Sequence, residues 1–360
     1  MRAVVLVGGE GTRLRPLTLT TPKQMLPIAE VPMIERVLAH LAAHGVQEAT
    51  LSLGYRPDAF LSLFPAGRLG DMAIRYAVEP EPRGTAGAIR FAAEAAGIDG
   101  TFLAVNGDVL TDLDLTALVD FHRSWDAEGT IALAHVEDPS AFGLVPTAAD
   151  GRVLAFVEKP LPEETVTGAI NAGTYVLEPS VLDRIPKDEA VSIEREVFPP
   201  MAEEQRLFAV AGDTYWIDTG TPAQYLRAQL DLLDGRRPPP PAPGARLHHG
   251  SVWVLGEAVI DGLVQGPALV GTAAYVQAGA KVERSVVGAG ARVSQGAEVR
   301  NSVLLPGAAV HSGAVVDGSI VGEGAVVGAN ARLSGLTVIG AGVEVEPEAR
   351  LFQVRLPVGG

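Results

Sequence analysis

The sequence predicts two domains, an α/β domain with a mixed, mostly parallel sheet and, after it, a parallel β-helix. Three observations lead to this prediction: short β-rich runs alternate with helical patterns in the first part of the chain, a proline run follows at Pro238–Pro241, and aliphatic residues then recur every six positions. A chain of 360 residues is long enough for two cores. We expect the α/β domain at 1–235, a linker at 236–250 and the β-helix at 251–360.

The α/β domain begins with a buried strand, Ala3–Val7. A helix is predicted over Met33–His44, where Pro32 opens it and Gly45 can stop it. Ala49–Leu53 reads as the next strand. Strands that alternate with helices in this way are typical of a layered α/β domain.

Further along, Thr85 is expected to cap a helix that runs to Ala96 and ends at Gly97. A strand follows at Thr101–Val105, and Thr221 is expected to cap the helix that closes the domain. The proline run cannot form helix and favours an extended spacer. The domain boundary is therefore placed there.

The repeat that follows the spacer has a strict period of six, with joins that are one residue short. Its aliphatic positions are Val264, Val270, Val276, Val282, Val287, Val293, Val299, Leu305, Val310, Val316, Val321, Val327, Leu333, Ile339 and Val345. Neither a helix nor an alternating strand has this period, whereas a triangular β-helix takes one hexapeptide on each flat face.

Composition excludes several function classes. The formal net charge of -15 argues against a general nucleic-acid binder, because phosphate contacts need a surplus of Lys and Arg. The absence of cysteine excludes disulfides, thiolate nucleophiles and cysteine-ligated zinc. No signal peptide or membrane-spanning run is recognised, so we expect a cytoplasmic protein without membrane or nucleic-acid partners.

The first predicted strand leads into a glycine-rich segment, Gly8 to Thr18, followed by Pro22–Pro27. A glycine-rich turn after a strand lets backbone N–H groups cradle phosphate oxygens. The segment matches neither of two common motifs. A Rossmann fingerprint requires glycine where Leu14 stands, and a Walker loop requires Gly-Lys-Ser/Thr after its four-residue gap.

This segment resembles the signature of the sugar-phosphate nucleotidyltransferase family: a glycine-rich loop, then Thr-Arg-Leu, Pro-Leu-Thr and Pro-Lys-x-x-Leu-Pro. The similarity covers the whole N-terminal domain, because further family motifs follow in the family's order at Gly84–Gly87, Asn106–Asp108, Phe142–Gly143, Glu158–Pro160, Asn171–Gly173 and Trp216–Gly220. The resemblance implies a Rossmann-like, GT-A-like nucleotidyltransferase domain. The tail is similar to hexapeptide-repeat proteins, which implies a left-handed coil.

The resemblance also implies roles for individual residues. Arg13, Lys23, Asp108 and Asp218 would be catalytic, and Asp108 and Asp218 would hold Mg²⁺. The nucleotide would be bound by Leu6, Gly8, Gly9, Gly11, Thr12, Arg13, Lys23, Gly84, Thr85 and Asp108. The sugar phosphate would be bound by Gly143, Glu158, Lys159, Asn171 and Gly173. Magnesium fits this set, because it is usually held by a few carboxylates and phosphate oxygens.

Plainer interpretations stay open at this stage. Asn106-Gly107 is also a hairpin signal, so Asp108 could be a turn residue, although the following ten residues read as loop and helix. Asp218 could simply precede a helix N-terminus. His248, His249 and His311 raise the alternative of an acyltransferase in the tail. A catalytically silent homologue is the remaining alternative. The presence of all four expected catalytic residues argues against it.

Within the family, the loop and the repeat tail together resemble the mannose-1-phosphate guanylyltransferases. This implies GTP, or another nucleoside triphosphate, and a hexose 1-phosphate as substrates, with GTP and mannose 1-phosphate favoured. The alternative is a glucose-1-phosphate thymidylyltransferase with dTTP. The edges of the β-helix lead us to expect a homo-oligomer formed through the C-terminal domain.

Overall fold

The computed structural model of this chain describes residues 1–54, 57–136, 139–140, 142–158 and 168–357. By its internal contacts the chain forms two compact units, the sheet unit (Met1–Gly9 and Ile34–Trp216) and the β-helix unit (Glu10–Met33 and Ile217–Gly360). The domain limits expected from the sequence, at 235 and 250, stay a prediction. Within the described residues, none of the helices combines the length and the apolarity that crossing a bilayer demands.

The elements are named here in chain order. The strands of the first 220 residues are β1 (Arg2–Leu6), β2 (Pro27–Ile28), β3 (Val31–Pro32), β4 (Glu48–Leu53), β5 (Arg68–Leu69), β6 (Met72–Val78), β7 (Phe102–Asn106), β8 (Val109–Thr111), β9 (Gly129–His135), β10 (Gly143–Leu144), β11 (Val157–Glu158), β12 (Ala169–Leu177), β13 (Leu207–Ala211) and β14 (Trp216–Asp218). The helices are α1 (Met33–Ala43), α2 (Pro57–Leu63), α3 (Gly84–Ala96), α4 (Leu115–Ser124), α5 (Phe198–Glu203) and α6 (Pro222–Leu233). Short 3-10 turns lie at Thr12–Leu14, Leu17–Leu19, Lys23–Met25 and Pro179–Arg184, and a π turn at Ile193–Val197.

The sheet unit is built on a mixed sheet in the order β11-β10-β12-β7-β1-β4-β6-β5, and β9 joins β12 to β13. Strands β7, β1, β4 and β6 run parallel, whereas β12 is antiparallel to both β7 and β9. Helix α3 packs on β1 and β4 and covers one face of these largely buried strands. The mixed α/β sheet predicted from the sequence is confirmed.

Most predicted elements of this unit lie within two residues of their expected bounds, but one cap prediction is wrong. Helix α3 begins at Gly84, with Arg83 in the N-cap position, so Thr85 does not cap it. The Thr85 hydroxyl instead donates to Glu194 Oε2 at 2.7 Å and accepts from the Ile193 N–H at 2.8 Å. Gly97 ends the helix in the left-handed region, as expected.

The segment after Asp108 differs in part from its prediction as loop and helix. Val109–Thr111 forms the short strand β8, and α4 then starts with Asp114 as its N-cap. Strand β8 is no hairpin partner of β7, whose neighbours are β1 and β12. The hairpin interpretation of Asn106-Gly107 is therefore excluded.

The β-helix unit contains the repeat as a left-handed parallel β-helix. Its strands are β15 (Arg246–His249), β16 (Val252–Val254), β17 (Val259–Ile260), β18 (Leu263–Gln265), β19 (Ala268–Val270), β20 (Tyr275–Val276), β21 (Lys281–Glu283), β22 (Val286–Val287), β23 (Arg292–Val293), β24 (Glu298–Arg300), β25 (Val303–Leu304), β26 (Ala309–Val310), β27 (Val315–Asp317), β28 (Ile320–Val321), β29 (Val326–Val327), β30 (Arg332–Ser334), β31 (Val338–Ile339), β32 (Glu344–Val345), β33 (Arg350–Phe352) and β34 (Arg355–Leu356). Every third strand from β16, β17 and β18 stacks into one of three parallel faces. All aliphatic positions of the predicted repeat are buried.

Buried hydroxyl groups form a ladder at one corner of the coils. Ser285, Ser302, Ser319 and Thr337 have no exposed surface. The Ser302 N–H donates to Ser285 Oγ at 3.1 Å, and the Ser319 N–H donates to Ser302 Oγ at 3.0 Å. Each step joins residues 17 positions apart, which is one coil with a shortened join. The hydroxyls satisfy backbone N–H groups that would otherwise be buried without a partner.

The β-helix unit also contains α6 and residues 10–33, which we call the signature segment. Thr221 caps α6 through a hydrogen bond from the Gln224 N–H, as predicted. At the other end of α6, Asp234 forms a two-point ion pair with Arg284, at 2.5 and 3.2 Å, which ties this helix to the coils. Part of the segment that the sequence assigns to the first domain is thus packed with the repeat.

Candidate functional site

In the sheet unit, predicted site residues meet where β1 and β7 end. The two strands are parallel and in register, with Leu6 opposite Asn106. The Gly107 N–H donates to the Leu6 carbonyl at 2.9 Å, and a Cβ on Gly107 would lie 2.6 Å from Val7 Cγ1. Only glycine permits this approach. It places Asp108, which is half-buried, directly after a strand end that adjoins the one leading to Gly8 and Gly9.

The start of α3 is held by buried polar contacts in the same unit. Gly84 has a φ of +67°, and an added Cβ would lie 2.5 Å from the Val191 carbonyl oxygen. Glu79 accepts from the Ser52 hydroxyl at 2.8 Å and from the Arg83 N–H at 3.2 Å. The turn before α3 therefore has a fixed shape. Nucleotide binding by Gly84 and Thr85 stays a prediction.

A bulge in β12 shapes the predicted sugar side. The register of β12 with β9 shifts between Asn171 and Tyr175, and Gly173 there has a φ of +70°. Asn171 donates from Nδ2 to the Tyr175 hydroxyl at 2.8 Å and accepts from the Gly173 N–H at 2.9 Å. A Cβ on Gly173 would overlap the side chain of Asn106. Bulges of this kind re-aim side chains beside functional sites.

The other predicted sugar residues lie on the neighbouring strands. Gly143 in β10 is paired antiparallel with Glu158 in β11, and Leu144 pairs with Ile170 in β12. The sheet thus brings Gly143, the backbone of Glu158 and the bulge of β12 to adjacent strands. Lys159 lies outside the described residues. The neighbouring Trp216 donates from Nε1 to the Ala172 carbonyl at 3.0 Å, which orients its ring beside the bulge.

In the β-helix unit, the signature segment folds as successive 3-10 turns. Gly11 begins the first turn with a φ of +64°, and its carbonyl accepts from the Thr18 hydroxyl at 2.8 Å. A Cβ on Gly11 would lie 3.0 Å from Thr18 Cγ2 and 3.1 Å from Lys23 Cβ. Gly11 thus allows the turns that carry Thr12, Arg13 and Lys23 to pack closely. Leu14 is buried, whereas Thr12 and Arg13 are exposed.

The same unit brings Arg13 and Asp218 together. Arg13 Nη2 lies 3.9 Å from Asp218 Oδ2, and Asp218 Oδ1 accepts from the Gly220 N–H at 2.8 Å. A Cβ on Gly220 would lie 2.6 Å from Arg13 Nη2, so glycine leaves the space for the guanidinium. The Arg13 side chain is 62% exposed, and a solvated ion pair of this length is weak. The guanidinium of Arg13 is therefore accessible to solvent and only weakly held by Asp218.

The donor set suits magnesium better than a metal held by protein alone. Among the described residues there is no group of three or more His, Cys, Asp or Glu side chains that could hold a metal ion. A hard cation bound through one or two carboxylates and completed by phosphate oxygens and water needs no such group. The Asp218 carboxylate, with one oxygen directed to Gly220 and the other near Arg13, fits that mode.

The histidines that raised the acyltransferase alternative are at the surface. His248 and His249 lie on β15 with their rings 5.0 Å apart, and both side chains are exposed, as is His311. His249 contacts the Val264 carbonyl through Nε2 at 3.2 Å. Nothing in these contacts resembles a catalytic base that is oriented by a third group.

Comparison with known proteins identifies the family of this chain. The nucleotidyl transferase family matches residues 2–235, and a GMPPB C-terminal domain matches residues 264–356. The chain is 43% identical to a mannose-1-phosphate guanylyltransferase of Mycobacterium tuberculosis, over 79% of each chain. It is 39% identical to a mannose-1-phosphate guanyltransferase of Schizosaccharomyces pombe, over 72% of this chain and 71% of that one.

A solved structure is also similar to this chain. A crystal structure of HddC from Yersinia pseudotuberculosis complexed with GMP-PN is 30% identical, covers 63% of this chain and 97% of that chain, and superimposes with a TM-score of 0.54. The two family matches together span both the sheet and the repeat. The chain therefore belongs to the nucleotidyl transferase family, among the mannose-1-phosphate guanylyltransferases, and is a nucleotidyltransferase.

Proposed function

We propose that this enzyme transfers the GMP group of GTP to mannose 1-phosphate and releases GDP-mannose and pyrophosphate. The observation that carries the proposal is the 43% identity, over 79% of each chain, with a protein named mannose-1-phosphate guanylyltransferase. The similarity of the fold to a structure complexed with GMP-PN supports a guanine nucleotide. The presence of Arg13, Lys23, Asp108 and Asp218 speaks against a silent homologue.

In the proposed reaction, a phosphate oxygen of the sugar 1-phosphate attacks the α-phosphorus of the nucleotide. The new P–O bond forms as the bond between the α-phosphorus and the α,β-bridging oxygen breaks, and pyrophosphate leaves with that electron pair. No covalent enzyme intermediate is needed. Catalysis of such transfers depends mainly on positioning and charge stabilisation.

The cationic side chains supply that charge. Arg13 would leave its weak pairing with Asp218 and bind the β- and γ-phosphates, since a guanidinium forms two-point hydrogen bonds with phosphate. Lys23 would neutralise charge at the α-phosphate. Backbone groups of Gly8, Gly9, Gly11 and Thr12 would line the phosphates, with Leu6, Gly84 and Thr85 against the nucleoside.

Asp108 and Asp218 would hold Mg²⁺, which neutralises charge on the phosphates when it is bound. On the acceptor side, Asn171, Glu158 and Gly143 would shape the sugar pocket, together with the backbone of Gly173. Asn171 suits this role because Tyr175 and the Gly173 N–H hold its amide in one orientation. Lys159 would bind the phosphate of the sugar.

Three further expectations belong to the proposal. The catalytic domain would extend over 1–235 and the repeat over 251–360, joined by a linker at 236–250. The enzyme would work in the cytoplasm, and the C-terminal domain would form the contact of a homo-oligomer, since the open ends of a β-helix offer unpaired strand edges.

The test is a matrix of GTP, UTP, dTTP, ATP and CTP against several hexose 1-phosphates, with kcat/KM measured from pyrophosphate release. We expect the maximum at GTP with mannose 1-phosphate, because a pocket that pairs with guanine leaves polar groups unpaired against other bases. A maximum at dTTP with glucose 1-phosphate would replace the proposal by a thymidylyltransferase. If no pair gives pyrophosphate release, the chain is instead a catalytically silent homologue.

A further inference from the structure

Side chains of the repeat form hydrogen bonds with the backbone of the signature segment. The last strand of the coils, β34, carries Arg355, whose Nη1 donates to the Arg13 carbonyl at 3.1 Å and to the Arg15 carbonyl at 3.4 Å. These two carbonyls flank Leu14 in the first 3-10 turn. One guanidinium therefore fixes the backbone from which the Arg13 side chain projects.

A second contact holds the far end of the segment. Strands β2 and β3 form a hairpin whose two turn residues, Ala29 and Glu30, have φ values of +45° and +68°. Residues other than glycine and asparagine rarely adopt this backbone geometry. The Glu30 carboxylate accepts from the Ala289 N–H of the coils at 2.7 Å, and burial raises the pKa of Glu30.

Helix α6 strengthens the second contact. Gln229 accepts from the Ala29 N–H at 2.6 Å and donates to the Pro27 carbonyl at 2.7 Å, and the Tyr225 hydroxyl donates to the same carbonyl. A left-handed turn built from alanine and glutamate persists only where its surroundings determine its shape. Here those surroundings are α6 and the coils. At Gly271 the coils have no room for a side chain, since a Cβ there would lie 2.6 Å from Glu30 Oε2.

Between the two contacts the packing of the segment against the coils is incomplete. A cavity of about 250 Å³ lies between the segment and the coils, and its lining includes Leu17, Met25 and Leu26 on one side and Leu305 and Pro306 on the other. Side chains that line a void lose the packing contacts that a filled interior would give them. Here the hydrogen bonds of Arg355 and Glu30 restrain the segment on either side of the cavity, where packing is missing.

We propose that Arg355 and Glu30 are positioning residues of the transfer reaction, through which the β-helix holds the signature segment in the shape that aims Arg13. The proposal rests on the proposed role of Arg13. Neither residue touches the substrate. Their effect passes through the backbone of residues 13–15 and 27–30, and displacement of a charge-stabilising group by a fraction of an ångström lowers turnover rather than binding.

The experiment is a double-mutant cycle with Arg13→Ala, Arg355→Ala and the pair, in the full chain with GTP, mannose 1-phosphate and Mg²⁺. We expect Arg355→Ala to lower kcat about 10-fold with little change in KM, as loss of a supporting contact does. Arg355→Lys retains a donor for the Arg13 carbonyl and should restore most of the activity. Arg350→Ala, an exposed arginine on the neighbouring strand β33, is the matched control and should leave kcat unchanged.

The cycle separates the two proposals. If Arg355 acts through Arg13, Arg355→Ala lowers kcat in the wild-type background and has little further effect beside Arg13→Ala. The same factor in both backgrounds, or a kcat equal to that of Arg350→Ala, would overturn the positioning role while leaving Arg13 catalytic. Full turnover by Arg13→Ala would instead overturn the role of Arg13, and the positioning proposal with it.

Substitutions of Glu30 provide an independent test of the positioning role. Glu30→Gln retains an oxygen that can accept from the Ala289 N–H, whereas Glu30→Ala does not. We expect Glu30→Ala to lose about 10-fold in kcat and Glu30→Gln to stay near wild type. Equal kcat values for the two variants would contradict the positioning role of Glu30, and thermal unfolding of both variants shows whether the fold is kept.

Discussion

Both units of the molecule bury polar groups, but they satisfy them in different ways. In the β-helix the same hydroxyl ladder recurs at Ser285, Ser302 and Ser319, one step per coil. In the sheet unit the buried polar contacts are not repeated along the chain, and they join partners at different separations, from eight positions for His122 and Thr130 to 56 for His122 and Glu178. His122, for example, contacts the Thr130 hydroxyl at 2.8 Å and Glu178 at 3.1 Å.

The difference between the two units matches the positions of the predicted site residues. A repeat whose coils are equivalent offers no single position for a unique side chain, and its polar groups serve its own backbone. The predicted site residues lie where the regular secondary structure is interrupted: at the bulge of β12, in the left-handed turn at Gly11 and just after the end of β7, beside Gly107. We therefore expect substitutions at these breaks to affect turnover, and substitutions in the ladder to affect stability. Four predictions test this division.

The largest effect is expected for the two carboxylates, one from each unit. Asp108→Asn and Asp218→Asn should each lower kcat by about 10³-fold or more, because each removes a proposed ligand of the metal. Their thermal unfolding should match that of wild type. The measurement is pyrophosphate release at ordinary magnesium, with Asp71→Asn, a fully exposed carboxylate, as the control. Wild-type turnover by either variant would remove that residue from the metal site.

Arg13→Ala should come next, with kcat lower by about 10²–10³-fold, the usual size for one preorganised charge stabiliser. Steady-state kinetics of the purified variant measures kcat and KM separately. Arg292→Ala, on the exposed surface of the coils, is the matched control. An effect confined to KM would show that Arg13 only binds the nucleotide.

Ser302→Ala should affect stability and leave the reaction unchanged. The Ser319 N–H loses its acceptor inside the coils, which costs about 1–3 kcal/mol in the free energy of unfolding. Urea unfolding followed by circular dichroism gives the value, and Ser312→Ala, an exposed serine of the same coils, is the control. If Ser302→Ala and Ser312→Ala unfold alike, the ladder does not stabilise the coils.

The smallest effect concerns pH and the sheet unit. Burial lowers the pKa of His122, opposed by its contact with Glu178. The folded protein therefore binds this proton less readily than the unfolded chain, and the stabilising contribution is lost as the pH falls from about 6.5 towards the folded pKa. The slope for one group is at most about 1.4 kcal/mol per pH unit.

Urea unfolding at several pH values between 7.5 and 5 measures this slope. His122→Gln should flatten it, whereas His311→Gln, at an exposed position of the coils, should leave it as in wild type. A slope that is the same in all three proteins would assign the pH dependence to other groups.

The sequence predicts the regular parts of both units well. Every aliphatic position that the hexapeptide period predicts is buried in the coils, because each flat face of the β-helix takes one hexapeptide. Buried residues between those positions, such as Leu269, Val303 and Ile320, are not predicted by the period. Thr221 and Gly97 mark helix ends by local rules that need no tertiary information. The parallel part of the sheet follows from the alternation of strands and helices, whereas the antiparallel strand β12, which makes the sheet mixed, does not.

What the sequence does not reveal depends on contacts between distant residues. The cap predicted at Thr85 fails because its hydroxyl is held by Glu194, 109 positions away. The grouping of residues 10–33 with the coils has no local signal, and no turn motif marks Ala29 and Glu30, whose conformation is imposed by α6 and Ala289. The motifs predict which residues react, whereas the contacts that support those residues become visible only in three dimensions.

The contact between Arg355 and the Arg13 carbonyl joins residues 342 positions apart. A ribosome makes the chain from its N-terminus, so the signature segment leaves the exit tunnel long before its last partner exists. The segment can complete its packing only when the final coil has been synthesised. A nascent chain that stops short of Arg355 therefore carries every proposed catalytic side chain without the finished support, and full assembly of the enzyme depends on synthesis of the coil that contains Arg355.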